Sequence, residues 1–513
     1  MRHGRLPWIA VTALLALPAA PFTGLSQAQA QEHSAKHSHY TLVDLGTLGG
    51  PATYVNSIDS RGTVGGGALT SVPDPICTGP WHQSTGCYYE HAFNWRKGVL
   101  TDLGTLPGEN NSFAASINSR GAVFGVSENG LPDPVYGVRA FVTTIWKDGE
   151  VRDLGTLGGG LSWPGLSIND RGQAVGAATN ADPDPEGFGP AIVFGPDVVA
   201  PGVHWHATLW QDGAIQDLGT LGEGLDSYAL SVNEGGQVAG ISYTNSIPSP
   251  AFGIPTVDPF FWENGQMIDI GTLGGTYGTL GTEGAGGLNN KGQVAGTSNL
   301  AGDQTAHAFI WERGSLLDLG TLGGTFSNAG SINDSGEVVG WSTTAADATL
   351  RAFRWKNGHM TNLGSLYDDV CSLAFSSNSK GQIVGNSVPC DIGGASHPFL
   401  WENGGLMVDL NTLIPPGSGV LLNEGAFINE KGEIVASATL DNGEVHTYLL
   451  IPGEGEADNA ASVAATGFDA VRASQSSTSM THGKLTPEKL AELRARFANR
   501  HRRFGLMPPK STR

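Results

Sequence analysis

Asp44-Leu45-Gly46-Thr47-Leu48-Gly49-Gly50 is a seven-residue phrase that keeps returning along this 513-residue chain. It is intact at Asp153–Gly159 and Asp318–Gly324, carries Ile270 for Leu at Asp269–Gly275, and is looser from Asp102, Asp217, Asn362 and Asp409. The eight copies start 58, 51, 64, 52, 49, 44 and 47 residues apart. A period of this size with variable insertions marks a repeat architecture, in which each unit buries its apolar face only against its neighbours.

The unit from Ser327 to Leu366 shows what is repeated. Asn328 to Asn333 reads as a short strand, and Asp334-Ser335-Gly336 as a turn. Glu337 to Trp341 is a β-branched strand. After a variable loop, Arg351-Ala352-Phe353-Arg354-Trp355 alternates with period two, placing Phe353 and Trp355 on one face. Asn357-Gly358 is a strong hairpin signal, and His359 to Gly364 is the fourth strand. The polar-x-x-Gly turn recurs at Asp59, Asn118, Asn169, Asn233, Asn289, Asn378 and Asn429. No unit has a helical period. The expected fold is therefore all-β, built from four-stranded antiparallel units.

The ends of the array argue for a ring. The first strand, Tyr40 to Gly46, is the fourth strand of a unit, and the last, His446 to Ile451, is a third strand. A ring closed by pairing these two needs that offset, and closure removes exposed edges. The reading is a β-propeller of about eight four-stranded blades over residues 40–452, with seven blades or an open β-repeat array as alternatives.

The aromatic strand reads His-Ala-Phe-x-Trp at His91–Trp95 and His307–Trp311. With the Asp-Leu-Gly-Thr-Leu-Gly-Gly phrase and the Ile-Asn-x-x-Gly-x-Val-x-Gly hairpin, it resembles the bacterial extracellular HAF-repeat family across about residues 40–451. Units 7 and 8 depart from the pattern, with Tyr367-Asp368 and Ile414-Pro415 in place of Gly-Gly. The resemblance implies an exported repeat protein and supplies no catalytic residues.

The flanks read differently. Residues 1–30 have a basic start (Arg2, His3, Arg5), an apolar run from Trp8 to Ala20 and Ala28-Gln29-Ala30, the pattern of a cleaved signal peptide. The expected location is secreted, extracellular or periplasmic. Residues 31–39 form a His-rich linker with His33, His37 and His39. Residues 453–485 are a flexible linker, 486–504 a basic amphipathic helix and 505–513 a disordered terminus. Formal net charge is −20; residues 1–30 carry +2 and 454–513 carry +4, leaving −26 on the stretch between. So acidic a body excludes nucleic acid as a partner. The basic helix is expected to dock on the acidic propeller or on an anionic surface. In an exported protein the four cysteines are expected to pair locally, Cys77 with Cys87 and Cys371 with Cys390.

Chemistry is sought in the loops between second and third strands, which are long in units 1–4: Ala68–Glu90, Glu128–Val138, Asn180–Trp205 and Tyr243–Val257. Their Pro, Asp and aromatic residues suggest a binding groove, with Asp74, Trp81, Asp133, Tyr136, Asp182, Asp184, His204 and Trp205 as ligand-binding candidates. The repeated Asp (Asp44, Asp153, Asp269, Asp318) reads as a turn or inter-blade acceptor rather than a cation ligand. The repeated His (His91, His206, His307, His397, His446) reads as a strand-edge residue. His204 and His206 form an alternating pair suited to a metal, but the sequence names no further ligands, so no metal or cofactor is assigned. No Gly-x-Ser-x-Gly, His-Glu-x-x-His or phosphate loop is present. The expected function is a non-enzymatic, monomeric binding or interaction scaffold for a polysaccharide or protein, using the long-loop face of units 1–4. The alternative is a carbohydrate- or ester-directed hydrolase or lyase on that face.

Overall fold

The computed structural model describes residues 39–453 except 76–86, 134, 138, 285, 368, 391–395 and 403. The signal peptide, Cys77, Trp81 and the C-terminal helix named above lie outside the described residues. Among the described residues thirty-two strands pair, and successive sets of four form antiparallel units. In unit 6 the strands are Gly323–Ile332, Val338–Thr344, Leu350–Lys356 and His359–Asn362. The last unit is assembled from both ends of the chain. Leu422–Ile428, Ile434–Thr439 and Val445–Pro452 are joined by Tyr40–Asp44, in the register Tyr40↔Pro452 to Asp44↔Tyr448. The fold is a β-propeller.

Local sequence explains the hairpins. At Asn357 and Gly358 both φ angles are positive, 52° and 80°, the conformation that a two-residue turn between right-twisted strands demands. The period-two aromatics do the packing: Phe93, Phe309, Phe353 and Phe399 are fully buried, and Trp95, Trp210, Trp262, Trp311, Trp355 and Trp401 are buried as well. Each pair sits between its own sheet and a neighbour, where truncating one such side chain costs about 3–5 kcal/mol. Cys371 and Cys390 form a disulfide at the start of unit 7. The other expected pair includes Cys77, outside the described residues. No helix among the described residues is long and apolar enough to cross a membrane.

A belt of asparagines joins the units at the turn between first and second strands. Asn118 Nδ2 donates to the backbone carbonyl of Asn169 at 2.9 Å, Asn169 to Asn233 at 2.9 Å, and Asn233 to Asn289 at 3.0 Å. The series continues from Asn289 to Asn333 at 2.9 Å, to Asn378 at 3.0 Å and to Asn429 at 3.0 Å. Asn429 then donates to Asp59 at 3.1 Å, across 370 residues, which carries the belt over the seam between the last unit and the first. Each side-chain oxygen meanwhile holds its own turn; Asn118 Oδ1 accepts the N–H groups of Arg120 and Ala122. Asp59 performs only this second task, accepting from Arg61 and Thr63, because a carboxylate has no N–H to give.

Two substitutions test the belt. Asn289→Asp keeps the turn acceptor but sets a carboxylate oxygen against the Asn333 carbonyl, which then keeps only the Gly336 N–H, so it should cost about 1–3 kcal/mol in denaturant unfolding. Asp59→Asn should supply the missing donor and add up to about 1 kcal/mol. An Asn289→Asp variant as stable as the parent would show that the belt contributes nothing.

Candidate functional site

The hairpin ends of the strands make one face of the ring; the loops between second and third strands make the other. In unit 3 the second strand, Ala174–Asp184, runs past its regular partner and shifts register between Thr179 and Pro183. The chain then forms a short helix, Gly189–Phe194, and returns as Gly202–Gln211. This loop is pinned from within. Asp184 accepts the N–H of Gly187 through Oδ1 and of Gly189 through Oδ2, both at 2.8 Å. It is also pinned from outside: Tyr243 Oη of unit 4 donates to the Phe188 carbonyl at 3.1 Å, and Phe194 lies edge-on to Trp163 and Trp205.

The period-two alternation of the return strand puts Trp205 into the core and His204 on the other side, toward unit 4. There His204 Nδ1 lies 3.2 Å from Asp226 Oδ1, which also accepts the Trp205 N–H at 2.8 Å. Asp184, His204 and Asp226 each offer a ligand atom, these atoms lie within 4.8 Å of one another, and all three residues are buried. Gly189 leaves the space open: a Cβ there would sit 2.9 Å from Asp226 Oδ1. Donation to Asp226 raises the His204 pKa; burial opposes this, and Asp184 and Asp182 reinforce it. Burial likewise raises Asp226, against the hydrogen bonds it accepts. Among the described residues neither Asp184 nor Asp226 has a Lys or Arg ion-pair partner.

Six of the eight ligand-binding candidates come together here. Tyr136 Oη approaches both Val203 N and O at 3.4 Å, Asp133 accepts the N–H groups of Val135 and Tyr136, and Asp182 is exposed beside Asp184. Asp74 belongs to the unit 1 loop instead, where its N–H donates to the Cys87 carbonyl at 2.9 Å. The sequence reading places Asp74, Asp133, Asp184 and Trp205 on a ligand-facing surface; all four are buried. Asp133 and Asp184 hold their own loops, because a short acidic side chain is the best local partner for loop N–H groups. Trp205, 1% exposed, supports the cluster from below. The sequence reading missed Asp226. Its position before Ser227 is Asn111, Leu161, Phe326 or Cys371 in other units, so the departure from the repeat was the available signal.

The repeated Asp and His, read separately from sequence, turn out to be partners. His91 meets Asp102 at 3.0 Å, His206 meets Asp217 at 2.8 Å, His307 meets Asp318 at 2.9 Å, and His446 meets Asp44 at 2.9 Å across the ring closure. The same Asp accepts the N–H two residues on, as Asp318 does from Gly320, which bears out the turn-acceptor role. His397 turns to Asp369 at 2.9 Å, since Asp409 is engaged by Asn411 and Tyr367. In unit 4 Asp258 replaces the His and faces Asp269. Burial first, then the Asp269 charge and their shared hydrogen bond, push Asp258 up to about 7.

No protein-family model matches this chain, and no curated protein matches it. Among solved structures it is similar to the β-propeller domain of the Trilobed protease from Pyrococcus furiosus, at 9% identity over 70% of this chain and 95% of that one, TM-score 0.40. It is also similar to YCF48 bound to D1 peptide, at 9% identity over 83% and 99%, TM-score 0.35. A third is the polysaccharide lyase Uly1, at 8% identity over 83% and 95%, TM-score 0.34. The overlaps are loose, and the fold rests on the strand pairings of this chain.

The Asp258 pair makes stability depend on pH. Its folded pKa of about 7 exceeds its value of 3.8 in a free chain. Folding therefore takes up a proton between those values, and stability falls as pH rises through that window, then stays low above it. Asp258→Asn mimics the protonated acid at every pH. It should leave Tm unchanged at pH 5 and raise it by about 2 °C at pH 8; equal Tm values at pH 8 would mean that the two carboxylates do not share a proton.

Proposed function

We propose that this is an exported binding scaffold of the repeat type its motifs resemble, and that it takes its ligand on the loop face of units 1–4, at the junction of units 3 and 4. The observation that carries this reading is the convergence there of Tyr136, Asp182, His204 and Asp226 on loops that are folded and pinned. Regular repeats elsewhere in the ring spend their polar side chains on turns and on His–Asp pairs. Loops held this firmly bring a ligand little ordering cost, which favours recognition. A polysaccharide or a protein segment suits an open face with exposed carboxylates beside a half-buried tyrosine.

A second reading has its own support. An imidazole oriented by a buried carboxylate is the arrangement a general base uses, so hydrolysis or lyase chemistry on a sugar or ester fits the His204–Asp226 pair. Glycan and peptide arrays together with chromogenic esters and polysaccharides separate the two. The scaffold reading expects binding without turnover, weakened at least about tenfold by Asp182→Asn combined with Tyr136→Phe and unaffected by Lys291→Ala on the hairpin face. Turnover abolished by His204→Gln would establish the enzyme instead. Binding that survives the double variant and is lost with Lys291→Ala would place the ligand on the wrong face for either reading.

A further inference from the structure

We propose that Asp184, His204 and Asp226 form a site for one divalent transition-metal ion, of which zinc is the natural probe. The inference deepens the loop-face reading and rests on it for location, though not for the identity of the ligand.

Geometry comes first. Two donors bound tetrahedrally at about 2.0–2.1 Å from one ion lie roughly 3.3 Å apart. His204 Nδ1 and Asp226 Oδ1 lie 3.2 Å apart, and Asp184, His204 and Asp226 each offer one donor atom, all within 4.8 Å of one another. The three ligands come from three different segments that hold one another in place. Asp184 is held by the Gly187 and Gly189 N–H groups, and Asp226 by the N–H of Trp205. These are the outer contacts that orient metal ligands in built sites.

A second observation concerns Asp226 itself. Its side chain is 2% exposed, and among the described residues no hydrogen bond reaches its Oδ2. Nor is the charge needed for the bond that Oδ1 makes. At the junction of units 1 and 2, neutral Asn111 accepts the corresponding N–H from Glu90 at 3.0 Å. An aspartate at 226 adds only negative charge to a buried place that already holds Asp184, and one imidazole offsets only one of the two carboxylates. A divalent ion offsets both. One nitrogen and two oxygens suit zinc and its transition-metal neighbours, whereas calcium and magnesium prefer all-oxygen cages. Three protein ligands leave a fourth position, on the loop side, for water or for an oxygen of the bound ligand.

The test is zinc titration of the full chain after chelator treatment, by calorimetry and by competition with a chromogenic chelator. His33, His37 and His39 are replaced by Ala in every sample, because that stretch can capture zinc on its own. The expected result is one equivalent bound with micromolar or tighter affinity, and a Tm that rises with zinc. Asp226→Asn and His204→Gln should each weaken binding at least about tenfold. Asn at 226 keeps the bond to Trp205, so that variant should fold with a Tm close to the parent's. The absence of binding tighter than millimolar, or zinc affinity unchanged in a folded Asp226→Asn variant, would overturn the proposal. Because the array experiment is run without metal and with Asp182 and Tyr136 variants, loss of the zinc site alone leaves the loop-face reading standing, and loss of array binding alone leaves the zinc site standing.

Discussion

The ring depends on one asparagine, in every unit but the first, doing two things at once. Its carbonyl oxygen closes the turn that begins the second strand, and its amide nitrogen reaches the backbone of the next unit. Hydrophobic packing between sheets is strong but permissive, since apolar faces slide with little change in buried area. The amide is directional, buried and short of alternatives, so it sets how each unit meets the next. Because the belt lies at the hairpin ends of the strands, insertions at the opposite ends do not disturb it. The belt residues are separated by as few as 44 and as many as 64 residues, and the contact is the same at each of these joints.

That division of labour explains where chemistry is found. On the hairpin face, polar side chains are consumed by the architecture. On the loop face, the His–Asp pairs of the third and fourth strands are consumed too, each bridging its own hairpin. What is left over belongs to the long insertions, and where two of them brace each other, at units 3 and 4, two carboxylates and an imidazole are held in one buried place. Two departures from the repeat stand out in this part of the ring, Asp226 and Asp258. Both introduce negative charge where sister units carry none, and both raise the pKa of the carboxyl that bears it.

Much of the fold was legible in the sequence because the information is local and written several times over. Turn residues, the Phe-x-Trp alternation and the phase of the two terminal strands all act within a few positions, and the ring closure of Tyr40–Asp44 onto Val445–Pro452 follows from that phase. The belt was half legible. Asn in Ile-Asn-x-x-Gly signals a turn, but its acceptor in the next unit has no fixed offset in sequence. The His–Asp pairs were missed for a different reason: each member was weighed alone, although a hairpin places residues eleven apart face to face. In the candidate site, composition identified the loops that matter and misjudged exposure. Asp133 and Asp184 read as ligand-facing acids because nothing in a sequence shows that a carboxylate is already satisfied by N–H groups two to five residues ahead.

Asp59 gives the ring a feature that its symmetry hides. A closed belt would have no ends; this one starts at Asn118 and stops at the Asp59 carbonyl, and both ends face the same joint, between units 1 and 2. At that joint Asn56, from within the strand, donates to the Ala114 carbonyl in place of the belt amide. The seam where the two termini meet is by contrast sealed twice, by the edge strand and by Asn429. The gap in the belt is therefore not at the point where the polypeptide begins and ends, but one four-stranded unit further on, along an uninterrupted stretch of chain.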